Sequence, residues 1–380
     1  MKKIEFRRII AHGKFIPEID GLRFVAIASV LLYHIHIFLR DKNLNPYQLN
    51  ADKTYAPNFI INGSLGVELF FVISGFILGL FFAKAYKKDK TVNHKSYFVR
   101  RLTRLEPPYI LAMFLLFLGS VFVVKNLTVG EASRSLLASI FYSHNFVYPG
   151  EFPKLMAAAW SLEVEVQFYL LAPLLGLIFK WKNSVQRRIT LILGIFLFAT
   201  IPHLFPLHFV SIYDFMEYFL LGFLITDLFT DDSKTQGKWN PMLGTISIIL
   251  LLYLYFNLKP NADDLNQTIL YNCLQLPLLF GVFYLSILKA VVPFLKLRWL
   301  TNIGGACYSI YLLHFPIISM VGNIVVKNKC TENKLMDNLI FGTILLITSL
   351  VISGVYFLLI ERPCMDKNWY KKFLPSKAPD

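Results

Sequence analysis

Charged side chains are scarce in this sequence. Only 16% of its 380 residues are Asp, Glu, Lys or Arg, whereas a soluble globular chain carries about a quarter. The chain has only 4 cysteines, and we expect no disulfide, because no two of them fall in the same aqueous compartment of the predicted topology. Internal repeats, low-complexity runs and a separable soluble domain are also absent from the sequence. These absences exclude a soluble globular enzyme and a disulfide-stapled scaffold.

Apolar residues make up 56% of the chain, and they occur in runs long enough to cross a bilayer. A spanning helix needs about 20 consecutive apolar residues. The sequence therefore predicts an all-α polytopic membrane protein with about ten transmembrane helices. The predicted spans are 21–40, 64–83, 107–124, 157–179, 189–206, 210–229, 241–258, 267–289, 302–325 and 338–360.

Basic residues give the chain a net charge of +14, but their distribution argues against a nucleic-acid partner. Most Lys and Arg fall in the segments that lie inside when the N-terminus is placed inside. By the positive-inside rule, both termini are predicted to be cytoplasmic, with the lipid bilayer of the plasma (inner) membrane as the surroundings. We expect one membrane domain over residues 1–363, including a short cytoplasmic N-terminal arm, and a basic cytoplasmic tail over 364–380.

The first predicted span, "EIDGLRFVAIASVLLYHIHIF", contains ionisable side chains. Arg23 and His34 are eleven residues apart, so they share one helix face and lie roughly 16 Å apart along the axis. Ionisable groups inside a bilayer are costly and usually functional. The alternative is that Arg23 extends to the inner surface while His34 hydrogen-bonds a neighbouring helix.

The fourth span, "AWSLEVEVQFYLLAP", carries a polar stripe. Ser161, Glu165 and Tyr169 stand at successive i,i+4 positions and therefore share one face. Glu163 points away from that face, and we expect it to be solvated near the outer surface. The stripe is a candidate for chemistry inside the membrane.

Further polar residues share the depth of that stripe. The ninth span, "GACYSIYLLHFP", includes Tyr308 and His314. Counted from their entry points, His34, Glu165 and His314 all lie in the middle or outer half of the bilayer. A buried carboxylate beside imidazoles suits general-base catalysis, because it holds the ring and stabilises the imidazolium.

A basic cluster precedes the third span in "SYFVRRLTRLEPPYI". Arg100, Arg101 and Arg104 lie on the predicted cytoplasmic side, and Arg100 and Arg104 share a helix face. Pro107 and Pro108 suit a helix start. The guanidinium fork binds phosphate bidentately, so a phosphate-rich cytosolic ligand is one interpretation. The other is an ordinary positive-inside anchor.

Two more features leave alternatives open. Glu361, in "IERP" on the same predicted side, either completes the mouth formed by the arginines or pairs with Arg362. The outside loop "FYSHNFVYPGEF", in the stretch 126–156, offers aromatic rings that stack on a sugar or form an interfacial belt. No metal site is expected, since the sequence has no HExxH or similarly spaced ligand set.

Six motifs follow one another between residues 20 and 363. They are "DGLRFVAIASVLLYH", "GVELFFVISGF", "RRLTRLEPPY", "WSLEVEVQFYLLAP", "YSIYLLHFP" and "ERP". In this order, with ten helices, they resemble the acyltransferase 3 family of integral-membrane O-acyltransferases, of the O-antigen and polysaccharide O-acetylase type. Phe24 departs from a frequent glycine and Leu105 from a frequent isoleucine. Neither departure touches the candidate chemistry, and no fused extracytoplasmic esterase-like domain is expected.

The resemblance implies transfer of an acyl group, usually acetyl from acetyl-CoA, to a hydroxyl of a surface carbohydrate. Arg23 and His34 match the family's arginine and histidine with ten residues between them. Arg101 and Arg104 match its arginine–x–x–arginine, and Glu165 matches the carboxylate of its tryptophan–serine–leucine motif. The acceptor stays open among polysaccharide, lipopolysaccharide, a lipid-linked sugar and a small metabolite, handled by the chain's own loops or by a separate extracytoplasmic partner protein.

The donor half of the resulting hypothesis concerns the inner arginines. The phosphates of acyl-CoA would bind near Arg100, Arg101 and Arg104. Arg23 would steady the pyrophosphate or the pantetheine arm. A continuous corridor must then connect these arginines with His34.

The chemical half places a base at the end of that corridor. His34 would accept the proton of the acceptor hydroxyl while Glu165 orients the imidazole. Ser161 and Tyr308 are candidate donors to the tetrahedral oxyanion. A covalent acyl-histidine or acyl-serine intermediate is an open alternative.

Two rival classes remain. Intramembrane His and Glu also suit a proton-coupled secondary transporter, although transporters are commonly built from internal repeats. A catalytically silent scaffold ranks last, because it has no need to align Arg23 with His34.

Overall fold

The computed structural model describes residues 15–44, 48–50, 53–54, 57–231, 240–258, 265–327, 331, 333–366 and 369. The α-helices are α1 Pro17–Asp41, α2 Asn58–Ile61, α3 Gly66–Tyr86, α4 His94–Leu118, α5 Val129–Ile140, α6 His144–Val147, α7 Ala159–Leu175, α8 Ser184–Leu204, α9 Met216–Asp231, α10 Pro241–Asn257, α11 Leu265–Phe283, α12 Arg298–Gly305, α13 Cys307–Val325, α14 Lys334–Tyr356 and α15 Arg362–Cys364. A small antiparallel hairpin pairs β1 Gln48–Asn50 with β2 Lys53–Thr54. The predicted N-terminal arm up to residue 14 and most of the predicted tail 364–380 lie outside the described residues.

Each of the ten predicted spans coincides with a long helix. Within the described ranges, 8 helices are long and apolar enough to cross a membrane. The two shorter helices are α9, with 16 residues, and α10, with 17 residues. The all-α polytopic class is confirmed, whereas ten crossings and two cytoplasmic termini stay predictions.

Helices α3 and α9 pack closely against each other because glycine lets the two backbones approach. A side chain at Gly75 would collide with the backbone oxygen of Phe219, and one at Gly222 would collide with the backbone of α3. Small residues at such crossings allow close helix packing in membranes. Gly75 therefore allows α9 to lie close to α3.

The prolines of α4 do not start the helix, so that prediction is wrong. The helix begins directly after Asn93, whose side chain accepts a 2.9 Å hydrogen bond from the backbone of the first turn. Pro107 has no N–H to give to the carbonyl of Thr103. The indole nitrogen of Trp369 donates to that carbonyl instead, at 3.0 Å. The basic cluster therefore lies within a continuous helix, on its first turns.

The predicted outside loop 126–156 contains α5 and α6 and folds back along α4. The hydroxyl of Tyr109 donates to Ser139 O at 3.0 Å. The hydroxyl of Tyr142 donates to Glu106 at 3.0 Å. The backbone φ of Tyr142 is 51°, in the sparsely populated left-handed region. The loop thus reaches the level of the middle of α4.

A capping box starts α5. Glu131 accepts hydrogen bonds from the backbone N–H of Thr128 at 3.0 Å and from its hydroxyl at 2.8 Å. Thr128 Oγ1 accepts in return from the N–H of Glu131. The Thr128 N–H bond, with Lys154 nearby, lowers the pKa of Glu131 to about 2. The helix start is therefore defined by its own sequence.

Candidate active site

A narrow cavity of about 100 Å³ lies where α1, α3, α4, α7 and α13 meet. Its charged lining residues are Arg23, Arg101, Arg104, Glu165 and Glu361. Its other lining residues are Val67, Phe70, Phe71, Ile73, Ser74, Ile77, Leu78, Leu105, Ser161, Leu162, Tyr169, Gly305, Cys307, Tyr308 and Tyr311. Most of the predicted site residues therefore meet at one place.

Helices α3 and α7 run in parallel along this cavity. The hydroxyl of Ser74 donates to Glu165, and Gly176, the first residue after α7, packs against Phe82 of α3. With this register, the α7 positions before Glu165 lie beside the first half of α3. The predicted stripe is confirmed, since its three residues on α7 all line the cavity.

Glu165 bonds within the cavity wall and not to an imidazole. It accepts from the hydroxyls of Ser74 and Tyr169. Among the described residues, no hydrogen bond joins it to His34. The predicted pairing of Glu165 with His34 is wrong, because Glu165 faces α3 while His34 faces α13.

The partner of His34 is His314. His314 Nδ1 lies 2.8 Å from Tyr311 O and 3.0 Å from Ile310 O. Carbonyl oxygens only accept hydrogen bonds, so Nδ1 of the neutral His314 ring carries the proton and Nε2 is an acceptor. His314 is fully buried, with 0% of its surface exposed.

This arrangement fixes the tautomer of His34. His34 Nδ1 faces two acceptors, Val30 O at 2.9 Å and His314 Nε2 at 3.1 Å. Nδ1 therefore carries the proton of the neutral ring, and Nε2 is unprotonated. Among the described residues, hydrogen bonds hold His34 only at Nδ1. An imidazole held in this way, with its other nitrogen unprotonated, has the form of a general base.

Tyr311 separates this pair from the cavity. Its ring centroid lies 5.7 Å from that of His314, and its hydroxyl donates to Ala158 O at 3.0 Å and lies 2.6 Å from the hydroxyl of Ser161. The lining of the cavity includes Tyr311 but neither His34 nor His314. The predicted corridor is therefore not continuous within this cavity, because one tyrosine side chain closes it.

The arginines of the cavity differ in how they are paired. Arg23 forms a 2.9 Å ion pair with Asp20, and Arg101 lies over the ring of Tyr169 at 5.2 Å. Arg104 lies near Glu361, yet its buried Nε has no hydrogen-bond partner among the described residues. A buried unpaired donor requires an explanation. An anionic ligand entering the cavity would supply the missing acceptor.

Arg100 is the exception among the predicted donor-binding residues. Its Nε donates to Ser96 O at 2.9 Å, and its guanidinium lies 5.8 Å from the ring centroid of Phe81. It does not line the cavity. The prediction that it joins the other two arginines is wrong, since Arg101 and Arg104, three residues apart, share the inward face of α4.

Tyr308 and Glu361 complete the α4 side of the cavity. The hydroxyl of Tyr308 donates to Leu105 O at 3.0 Å, so its role as an oxyanion donor stays a prediction. Glu361 accepts from the N–H of Ser309 at 3.0 Å and from its hydroxyl at 2.5 Å. Of the two alternatives for Glu361, a place in the mouth is the one observed. Cys307 also lines the cavity, and nothing in the sequence pattern singled it out.

Glu163 is buried, so its predicted solvated position is wrong. None of its surface is exposed. Its two carboxylate oxygens accept from the backbone N–H groups of His144 at 3.0 Å and Asn145 at 2.9 Å. It therefore ties α6 to α7, because the loop before α7 folds inwards.

Comparisons with known proteins identify the family of the chain. Residues 16–358 match the model of an acyltransferase domain, that of the acyltransferase 3 family. The O-acetyltransferase OatA of Staphylococcus aureus (strain NCTC 8325 / PS 47) is 26% identical over 98% of this chain and 61% of its own length. The peptidoglycan O-acetyltransferase OatA of Listeria monocytogenes serovar 1/2a is 25% identical over 95% of this chain and 58% of its own length. This chain therefore spans about 60% of the length of these relatives.

No solved structure gives a significant match. Because the family model covers nearly the whole helical bundle, the chain belongs to the acyltransferase 3 family.

Proposed function

We propose that this chain is an integral-membrane O-acetyltransferase, which moves an acetyl group from acetyl-CoA to a hydroxyl of a cell-envelope glycan. The observation that carries the proposal is the His34–His314 pair, whose His314 ring contacts Tyr311 in the wall of an arginine-lined cavity. Family membership supports acyl transfer. The names of the relatives favour acetyl as the group and peptidoglycan as the acceptor.

The donor would bind through its phosphates at the inner end of the cavity. Arg101 and Arg104 both line it, and the unpaired Nε of Arg104 fits a phosphate oxygen. Arg23, already paired with Asp20, contributes charge. With the phosphates there, the thioester reaches the level of Ser161 on the cavity wall.

The chemistry would run through His34. The acceptor oxygen attacks the thioester carbonyl, and its proton passes to His34 Nε2. When the new C–O bond has formed, the C–S bond breaks, and the departing CoA thiolate recovers that proton from the imidazolium. Donor and acceptor meet only if the side chain of Tyr311 leaves Ser161, so this movement is part of the proposal.

The direction of transfer would follow from the predicted topology. The arginines lie on the side predicted to be cytoplasmic, where acyl-CoA is found, and His34 lies nearer the outer side of a plasma (inner) membrane. The acceptor would be presented from outside, by this chain's own loops or by an extracytoplasmic partner protein.

The test uses the full-length chain in nanodiscs with labelled acetyl-CoA and no ion gradient. We expect release of CoA and transfer of label to glycan fragments of the cell envelope. His34→Ala should lower the rate about 100-fold or more, which is the usual contribution of a general base, while acetyl-CoA still binds. His36→Ala, two residues along the same helix, is the matched control and should stay active.

The outcomes separate an enzyme from a transporter. Wild-type rates in His34→Ala would remove the imidazole from the mechanism. Acetyl movement that depends on a proton gradient, without release of CoA, would favour the transporter.

A further inference from the structure

We propose that the outer end of the cavity is an acyl pocket and that Phe71 limits the acyl group to about two carbons. This inference rests on the proposed function and adds the donor's chain length to it. Phe71 lines the cavity, and only 2% of its surface is exposed.

The cavity changes character along α3. From Val67 to Leu78 the lining residues of α3 cover twelve positions, and the eleven rises between them correspond to roughly 16 Å of helix. In the half that begins at Val67, α3 contributes apolar residues that include Phe70 and Phe71, and the only hydroxyls in the described lining beside them are those of Ser161 and Tyr311. The other half lies beside Tyr169 and the arginine stacked on it, given the register of α3 and α7. A donor bound by its phosphates would therefore point its acyl end at the phenylalanines.

The apolar end is also the end nearest the histidine pair. The ring of Phe70 meets the ring of Tyr311 edge-on at 6.2 Å. Tyr311 in turn contacts His314. A thioester beside Ser161 would thus have its carbonyl near Tyr311 and its alkyl group against Phe71.

Neighbouring aromatic rings hold the side chain of Phe71 in place, so a longer acyl group cannot readily displace it. Its ring packs against Phe215 at 5.2 Å and Phe219 at 4.8 Å. Phe219 is itself stacked on Phe168 at 4.0 Å, and its backbone touches Gly75. Close-packed interiors respond to a single added methylene, so this wall is rigid.

The volume of the cavity also favours a short acyl group. It holds about 100 Å³, while one water needs about 10–15 Å³ on a comparable measure. That is room for the end of a thioester arm and a short acyl group. A hydrophobic pocket discriminates one methylene by roughly 10–200-fold.

The experiment compares CoA release from acetyl-, propionyl- and butyryl-CoA by the full-length chain in nanodiscs. We expect the wild type to prefer acetyl-CoA over butyryl-CoA by at least about tenfold. Phe71→Ala should raise the butyryl-to-acetyl rate ratio at least about tenfold, because the pocket deepens. Phe71→Leu should raise it by less, and it provides the same test if the alanine variant does not fold.

The matched control is Phe76→Ala on the same helix. Phe76 is buried against Phe229 and does not line the cavity, so its removal should leave the ratio unchanged. An unchanged ratio in folded Phe71 variants, or an equal change in Phe76→Ala, would overturn the acyl pocket while leaving acetyl transfer intact. A wild type that neither binds nor consumes acetyl-CoA would instead overturn the proposed function.

Discussion

His314 Nε2 lies 3.1 Å from His34 Nδ1, and two backbone carbonyls hold the other side of the His314 ring. The carbonyls fix the tautomer of His314, and the unprotonated Nε2 of His314 in turn faces the protonated Nδ1 of His34. In the more familiar catalytic arrangement a carboxylate orients the base. If His34 is the base, as proposed, a neutral histidine takes that place, which avoids a second buried charge in the membrane.

The first prediction concerns His314 as a positioning residue. His314→Phe keeps a ring of similar size but removes one of the two acceptors of His34 Nδ1 and leaves only Val30 O. Loss of one hydrogen bond, worth about 1.5 kcal/mol, should lower kcat about tenfold and leave KM for acetyl-CoA unchanged. His314→Gln, which retains an acceptor oxygen, should recover part of the rate.

The measurement is steady-state release of CoA with both variants. A structural role alone would lower the amount of folded protein without changing kcat per active molecule. Full activity of His314→Phe would show that the pair is dispensable.

The second prediction separates the three arginines of α4. Arg101→Gln with Arg104→Gln removes two charge-assisted hydrogen bonds to phosphate, each worth about 1.5–3 kcal/mol. Together they contribute at least about 3 kcal/mol of binding free energy, so the affinity for acetyl-CoA should fall at least about 100-fold.

Arg100→Gln is the comparison, because Arg100 is turned to Ser96 and Phe81. It should keep acetyl-CoA affinity within about threefold, a difference below 1 kcal/mol. Titration of nanodisc samples with acetyl-CoA checks both variants. If Arg100→Gln lowers the affinity as much as the double variant does, all three arginines bind the donor and the separation proposed here is wrong.

The third prediction concerns Ser161. The hydroxyls of Tyr311 and Ser161 both lie within reach of Ala158 O, at 3.0 and 3.3 Å. Once Tyr311 moves, the Ser161 hydroxyl can turn from this carbonyl to the oxyanion. Ser161→Ala should lower kcat about 10²–10³-fold, as the loss of one oxyanion donor does, with donor binding unchanged.

Mass spectrometry of the wild type after a single turnover distinguishes this role from covalent catalysis. An acetylated Ser161 peptide would show that the serine is a nucleophile. We expect the peptide to stay unmodified.

The fourth prediction concerns stability. Glu163→Gln places an amide NH₂ opposite one of two backbone donors, the N–H groups of His144 and Asn145. An unsatisfied buried donor costs about 1–3 kcal/mol. The variant should unfold at lower temperature in detergent. An unchanged unfolding temperature would mean that α6 is held by other contacts.

Much of the site follows from helix periodicity. The i,i+4 spacing of Ser161, Glu165 and Tyr169 correctly placed all three on one face, and that face does line the cavity. Arg23, Arg101 and Arg104 reach the same cavity from two other helices. Periodicity succeeds here because the relation between residues on one helix is set by 3.6 residues per turn.

Helix periodicity failed to predict a residue's surroundings where a neighbouring element of the fold sets them. Arg100 shares a face with Arg104, but the rotation of α4 turns it to Phe81. Glu163 was expected to meet water, but the inward fold of the preceding loop covers it. The proline pair was expected to start a helix, but Trp369 supplies the bond that Pro107 cannot make.

The sequence by itself determined the apolar spans, the polar stripes within them and the order of motifs that places the chain in its family, because these depend on local composition and on the fixed geometry of one helix. Only the tertiary structure decided that His34 pairs with His314, that Glu165 turns to Ser74, and that Tyr311 stands between the cavity and the base. Those contacts join residues far apart in the chain. They depend on how each helix is rotated about its axis, and packing of whole helices sets that rotation.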